Sequence, residues 1–321
     1  MTTRVLVTGT SVRADLLQPL VDAGLTIDNP THLLSEDELR QRLSSSVAYL
    51  LGGDEKASRA ALSSAKDLKI VAFLGVGYES FVDATAARDF GIRVTNTPGT
   101  LTNSVAEFTI GHLLNCTRRL FLYATEYAAG QAGKEQKQHD LADLHVGIIG
   151  LGAIGTRIAE VLRNGFGSRV SYYSRTRKPQ TEERLGVAFV SLGELMRMVE
   201  VVVVMTPANE QTKGLVGAAE ISSAQPGLIL INTARAEIVD PRALLAGLES
   251  EQLGYASFDG LYDSEPTLTK SLKAFIPAKL MVTGHIGSLT HEARDGMAKK
   301  AVQSILNVLK NGRDEYVVNG V

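Results

Sequence analysis

The segment Val146-Gly-Ile-Ile-Gly-Leu-Gly-Ala-Ile-Gly-Thr-Arg157 constrains the fold more than any other part of the chain. An apolar run ends at Gly150, Gly152 and Gly155, spaced G-x-G-x-x-G, and a helical pattern starts at once. Each glycine answers a physical need. Gly150 permits a tight strand-to-helix turn, Gly152 lets backbone approach a pyrophosphate, and Gly155 lets helix and sheet pack closely. The opening N–H groups of the helix, through Ala153 and Ile154, would face the phosphates, aided by the helix dipole. This context, strand before and helix after, predicts a dinucleotide-binding turn.

The rest of the chain alternates in the same manner. Apolar runs at Val5–Val7, Val47–Leu51, Ile70–Phe73 and Ile92–Val94 read as strands, with helical spacing over Leu16–Ala23, Ser35–Leu43, Arg59–Ala65 and Asp83–Phe90. Ser35 and Glu38 fit a capping box. One long helix is expected from Asn103 to Ala129, then a polar, Gln-rich loop to Asp140. A second array follows, with strands at Val146–Ile149, Val170–Tyr173, Val187–Val190, Val201–Met205, Leu228–Asn232, Gly254–Phe258 and Leu280–Val282. A last helix runs from Thr290 to Leu309 and stops at Gly312. Strand–helix alternation at this pitch implies parallel, helix-covered sheets, and 321 residues suit two domains. The C-terminal helix is then free to return to the first domain, and a cleft between domains is a default ligand site.

Composition excludes several function classes. Net charge is −2, so nothing favours broad attraction to nucleic acid or an anionic membrane. A single cysteine, Cys116, excludes an intramolecular disulfide and a cysteine-built metal site; in its helical setting it reads as a packed thiol. No metal is expected. No apolar run reaches the roughly 18 residues that span a bilayer, and no signal-peptide pattern opens the chain, so a cytoplasmic protein is expected.

Cofactor type is read past the glycines. The second strand of such a fold normally ends in an acid, about 20 residues on, that binds the ribose 2′-hydroxyl. Here Tyr173 is followed by Ser174, Arg175 and Thr176, which repel no 2′-phosphate and offer a planar cation and two hydroxyls. NADP(H) is expected over NAD(H), with NAD(H) use still possible; a solvated basic loop is the bland alternative. Three further segments close strands: Ile231-Asn-Thr-Ala-Arg235, Phe258-Asp-Gly-Leu-Tyr-Asp-Ser-Glu-Pro266 and Thr283-Gly-His-Ile-Gly-Ser-Leu289. Singly, Arg235, Glu265 and His285 read as a surface cation, a turn carboxylate and a loop histidine. Together they suit hydride transfer to a 2-keto acid. The histidine supplies a proton near neutrality, the carboxylate orients its ring, and the arginine grips the substrate carboxylate.

These residues, with Leu74-Gly-Val-Gly-Tyr78, Val94-Thr-Asn-Thr-Pro98 and Ser104-Val-Ala-Glu107, make the chain resemble the D-isomer-specific 2-hydroxyacid dehydrogenases over almost its whole length. The resemblance implies an α/β protein of two doubly wound parallel-sheet domains. One is a flavodoxin-like substrate domain, residues 1–100 with 289–321, and the other an inserted Rossmann domain, residues 101–288. It implies Arg235, Glu265 and His285 as the catalytic set, with Arg235 and His285 also touching substrate. Val76 and Gly77 become backbone donors to the substrate carboxylate. Thr233, Ala234, Asp259 and Gly287 become neighbours of the nicotinamide, and Thr206 and Pro207 those of the adenosine. Ser174-Arg-Thr176 is similar to the NADP-preferring glyoxylate/hydroxypyruvate reductase branch, and such proteins are two-fold dimers.

Some positions depart from the family pattern. Asp259 and Glu265 stand one step further apart than is usual, so the loop holds an extra residue or Asp263 competes for the role. Gly284 replaces a usual proline, which would loosen the His285 backbone. Ala236 stands where glycine is common, and the tract before the fingerprint lacks its usual aromatic. Two other readings stay open: the same scaffold acting on a phosphonate or other oxyanion, and a dinucleotide-sensing binding protein without catalysis.

Overall fold

The computed structural model describes residues 3–9, 12–131, 133 and 135–321. The chain divides into two compact units, Met1–Leu101 with Leu289–Val321, and Thr102–Ser288.

The first unit is built on five parallel strands: β1 (Arg4–Thr8), β2 (Thr26–Asp28), β3 (Ala48–Leu51), β4 (Ile70–Phe73) and β5 (Arg93–Thr95), in the order β2-β1-β3-β4-β5. That is the flavodoxin-like order of a doubly wound sheet. Residues of β3 and β4 are buried on both faces, which explains their unbroken apolar runs. Strand β2 has no fully buried residue, and sequence periodicity gave it no signal. Ser35 caps the helix Glu36–Leu43 in the expected box: its Oγ accepts from the Glu38 N–H while its own N–H donates to Glu38 Oε2 at 2.9 Å. The helix His291–Asn311 packs against β4 and the helix Ala14–Asp22, closing one face of this unit. Beyond it, the tail returns to the sheet edge. Val318 N–H donates to Val94 O at 2.9 Å, and Asn319 bonds both Val94 N and Ile92 O.

The second unit carries seven parallel strands: β6 (His145–Ile149), β7 (Arg169–Tyr173), β8 (Ala188–Phe189), β9 (Val201–Val204), β10 (Leu228–Asn232), β11 (Leu253–Asp259) and β12 (Leu280–Thr283). Their order, β12-β11-β10-β9-β6-β7-β8, reverses at β6 and β9, the switch point of a Rossmann sheet. Val201 to Val204 are completely buried, and Val202 and Val204 pack in one core with Leu230, Leu244, Leu253 and Phe258. Each such side chain contributes roughly 1.5–3 kcal/mol of burial.

The single helix expected from Asn103 to Ala129 is two helices, Thr102–Arg118 and Leu120–Ala128. They break at Arg119, whose φ is 53°. Side-chain chemistry explains the break. Asn115 Oδ1 accepts from the Phe121 N–H at 2.7 Å, capping the second helix, while the Arg119 guanidinium leaves the helix line to donate to Gly254 O and lie over Tyr255. Cys116 is buried without a disulfide, and burial pushes its thiol up to about 12.

Candidate active site

The glycine turn is held by backbone against backbone. A Cβ on Gly150 (φ 104°) would lie 2.4 Å from Met205 O, and one on Gly155 would lie 2.1 Å from Gly150 O. A Cβ on Gly152 would meet nothing within 4 Å. So two glycines are required by packing, and the third leaves open space at the start of the helix Ala153–Val161, whose N-cap has no side-chain bond. Free N–H groups beside open space are what a bound pyrophosphate needs, so the residues present fit a dinucleotide. Thr206 and Pro207 follow β9 against this turn, with the Thr212 hydroxyl donating to Pro207 O at 2.6 Å.

Ser174, Arg175 and Thr176 leave the carboxyl end of β7. Ser174 Oγ donates to Thr176 O at 2.6 Å, tightening the turn, and Arg175 Nη1 donates to Gln211 Oε1 at 2.9 Å. Ser174 is half-buried; Arg175 and Thr176 are exposed.

The structure brings Arg235 and His285 together, 3.4 Å from Nη1 to Nε2, from residues 50 apart in sequence. Arg235 follows β10, where the Asn232 side chain folds the turn: Oδ1 accepts from Ala234 N and Nδ2 donates to Arg235 O. Thr233 is buried and its hydroxyl lies 2.6 Å from that of Thr109, which itself donates to Val105 O. His285 follows β12 with φ at 58°, a left-handed conformation costing about 1–2 kcal/mol in a non-glycine residue. Asp259, at the end of β11, holds that loop. Its Oδ1 accepts from Thr283 Oγ1 at 2.7 Å and Ile286 N at 2.9 Å, and its Oδ2 from Gly287 N at 2.9 Å. The loop is therefore pinned despite Gly284, where the sequence suggested looseness. Gly287 is closely packed as well, since a Cβ there would lie 3.1 Å from Phe108 and 3.2 Å from Asp259.

Glu265 stands just before the helix Pro266–Lys273 without a side-chain capping bond, and its carboxylate lies 3.5 Å from the Arg242 guanidinium. The longer loop from Asp259 turns through Gly260 (φ 105°) and is anchored by Tyr262, whose buried hydroxyl donates to Val239 O. Asp263 is exposed. In the first unit, Val76 and Gly77 follow β4. Asn96 Nδ2 donates to Val76 O and Thr97 brackets Gly75 with two backbone-directed bonds. Among the described residues, the Val76 and Gly77 N–H groups make no hydrogen bond within that unit.

Sequence reading missed His112, which lies against β11 through Ser257. Its Nδ1 is 2.7 Å from Ser257 Oγ, its ring packs on Phe108 at 4.3 Å between centroids, and its buried Nε2 has no partner. Burial drives its pKa down to about 4, opposed weakly by Asp259. An unfolded histidine titrates near 6.5, so the folded state takes up this proton later than the unfolded one. Stability from the neutral ring is complete above about pH 6.5 and is lost as pH falls toward 4, on the order of 3 kcal/mol in all. His112→Gln should flatten that acid dependence in urea unfolding at pH 7 and 4.5. Equal pH dependence in both proteins would contradict the assignment.

Among the described residues no group of His, Cys, Asp and Glu could hold a metal ion, and no helix is long and apolar enough to cross a membrane. Residues 110–287 match the model of the D-isomer specific 2-hydroxyacid dehydrogenase NAD-binding domain. The chain is 33% identical over 273 residues to a glyoxylate reductase of Thermococcus litoralis, covering 83% of this chain and 81% of that one. It is 32% identical to glyoxylate/hydroxypyruvate reductase B of Klebsiella pneumoniae, with 84% of each chain covered. The solved structure of the TT0316 protein of Thermus thermophilus matches with a TM-score of 0.84 and 34% identity, covering 98% of this chain and 99% of that chain. Rossmann topology, the glycine turn and a matched cofactor domain, with curated relatives aligned over four-fifths of the sequence, lead to one assignment: the chain belongs to the D-isomer specific 2-hydroxyacid dehydrogenase family.

Proposed function

We propose that this protein reduces small 2-keto acids, of the glyoxylate or hydroxypyruvate type, to D-2-hydroxy acids with NADPH as the preferred reductant. The observation that carries the reading is the approach of Arg235 to His285 at 3.4 Å, in the loops that follow the carboxyl ends of β10 and β12. Those loops belong to the unit that carries the glycine turn. The dinucleotide, when bound, supplies the hydride. Arg235 would hold the substrate carboxylate and polarise the adjacent carbonyl through its fork of donors. His285 would give its proton to the carbonyl oxygen as that oxygen gains charge, and recover a proton from solvent afterwards. Glu265 would orient the ring and favour its protonated form. Val76 and Gly77 keep the part the resemblance implies, backbone donors to a carboxylate.

Asp259, with both oxygens engaged by the His285 loop, would set the height of that loop, and Thr233, Ala234 and Gly287 would border the nicotinamide. Thr206 and Pro207 would border the adenosine, and Ser174, Arg175 and Thr176 would receive a 2′-phosphate. The absence of an acid after Tyr173 supports NADP(H). A two-fold dimer is supported by Leu120, Phe121 and Tyr127, exposed by 54%, 38% and 86% on one helix; a stable monomer in sedimentation would contradict it. A cytoplasmic setting fits a nicotinamide-dependent enzyme with one unpaired thiol.

Initial rates with glyoxylate, hydroxypyruvate, pyruvate and bulkier keto acids, each with NADPH and NADH, test the reading. The two small acids with NADPH should give the highest kcat/KM. Lack of turnover across the panel, with tight NADPH binding, would overturn it in favour of a dinucleotide sensor.

A further inference from the structure

The Arg175 guanidinium is long and exposed, and an unassisted side chain of that kind would sample many rotamers. It is instead tied to one partner on a different strand's loop. Its Nη1 donates to Gln211 Oε1 at 2.9 Å, leaving its Nε and Nη2 donors for another acceptor. Gln211 is itself set by the turn that follows β9. The Gln211 N–H donates to Asn209 Oδ1 at 2.9 Å, the Asn209 N–H donates to the Thr212 hydroxyl at 2.9 Å, and that buried hydroxyl donates to Pro207 O. Three interlocked bonds thus fix the backbone of a residue whose side chain reaches 36 positions back along the chain.

We infer that Gln211 is a specificity-determining positioning residue, holding Arg175 for a 2′-phosphate; this rests on the NADP(H) reading above. The chemistry of the amide matters. Its oxygen orients the guanidinium without neutralising it, and its NH2 group remains a donor for a phosphate oxygen. A carboxylate of the same shape would pair with Arg175, cancel its charge and repel the phosphate. The residue type at position 211 is therefore matched to an anionic ribose substituent.

The test compares wild type, Gln211→Glu, Gln211→Ala and Arg175→Ala, with KM and kcat measured for NADPH and NADH at saturating glyoxylate. Gln211→Glu should raise KM for NADPH about 10- to 100-fold, the scale of a like charge set against a bound anion. Gln211→Ala should raise it only about fivefold, the scale of one exposed hydrogen bond. In both, kcat, the thermal midpoint and KM for NADH should stay within about twofold, which a merely structural role would not produce. Arg175→Ala should lose the preference for NADPH altogether. If wild type uses NADH as well as NADPH, the NADP(H) reading falls and this inference falls with it. If wild type prefers NADPH and Arg175→Ala abolishes the preference while Gln211→Glu keeps it, only the role of Gln211 is overturned.

Discussion

Replacing His285 by alanine should lower kcat for glyoxylate by about two to four orders of magnitude, the usual worth of a positioned general acid. KM for NADPH should change little, because the dinucleotide turn lies elsewhere in the unit. The structure makes the effect specific. The ring sits 3.4 Å from the Arg235 guanidinium, on a loop whose left-handed backbone is held by three hydrogen bonds to Asp259. Those bonds use the Thr283 hydroxyl and the Ile286 and Gly287 N–H groups, none of which the substitution removes. The alanine protein should fold, bind NADPH and fail in turnover. Wild-type-like kcat in that variant would remove His285 from the reaction.

Gly152 and Gly155, two of the three glycines of the turn, should part company when each is replaced by alanine. Gly155→Ala places a methyl 2.1 Å from the Gly150 carbonyl oxygen, so the helix Ala153–Val161 must lift from the sheet. Strain and overpacking of this kind cost roughly 1–3 kcal/mol or more, and a displaced helix no longer presents its N–H groups. Gly155→Ala should therefore lower the thermal midpoint of the protein without cofactor and abolish measurable NADPH binding. Gly152→Ala meets no protein atom within 4 Å, and φ at this residue is −80°, which alanine accepts. It should fold with an unchanged midpoint yet weaken NADPH binding about 10- to 100-fold, because the methyl fills the space left for phosphate. Calorimetric unfolding and NADPH fluorescence titration of both variants check this. Unimpaired NADPH binding by Gly152→Ala would contradict the placement of the pyrophosphate.

Much of this molecule is legible from its residues, for physical reasons. Strands buried on both faces need unbroken apolar runs, so β4, β6, β9 and β10 announce themselves. The glycine spacing marks the turn because only glycine survives the backbone contacts seen at Gly150 and Gly155. What escaped reading depends on partners distant in sequence. Strand β2 is short and only partly buried, and leaves no pattern. The break at Arg119 comes from Asn115 and Gly254, which periodicity does not connect. Thr109 with Thr233, His112 with Ser257, and Arg175 with Gln211 are pairs that only the fold brings together. The looseness expected from Gly284 is cancelled by Asp259, 25 residues earlier, because a carboxylate with several donors in reach can fix a loop that its own sequence would leave free. Glu265 is the member of the expected set whose observed ion pair, with Arg242, lay outside the sequence reading.

The most direct test of the central claim is the configuration of the product formed from hydroxypyruvate. Purified protein, NADPH and hydroxypyruvate should give one D-glycerate for each NADPH oxidised, resolved by chiral chromatography, with no L-glycerate. Formation of L-glycerate, or NADPH loss without glycerate, would contradict hydride delivery to a 2-keto acid held by Arg235 and protonated by His285.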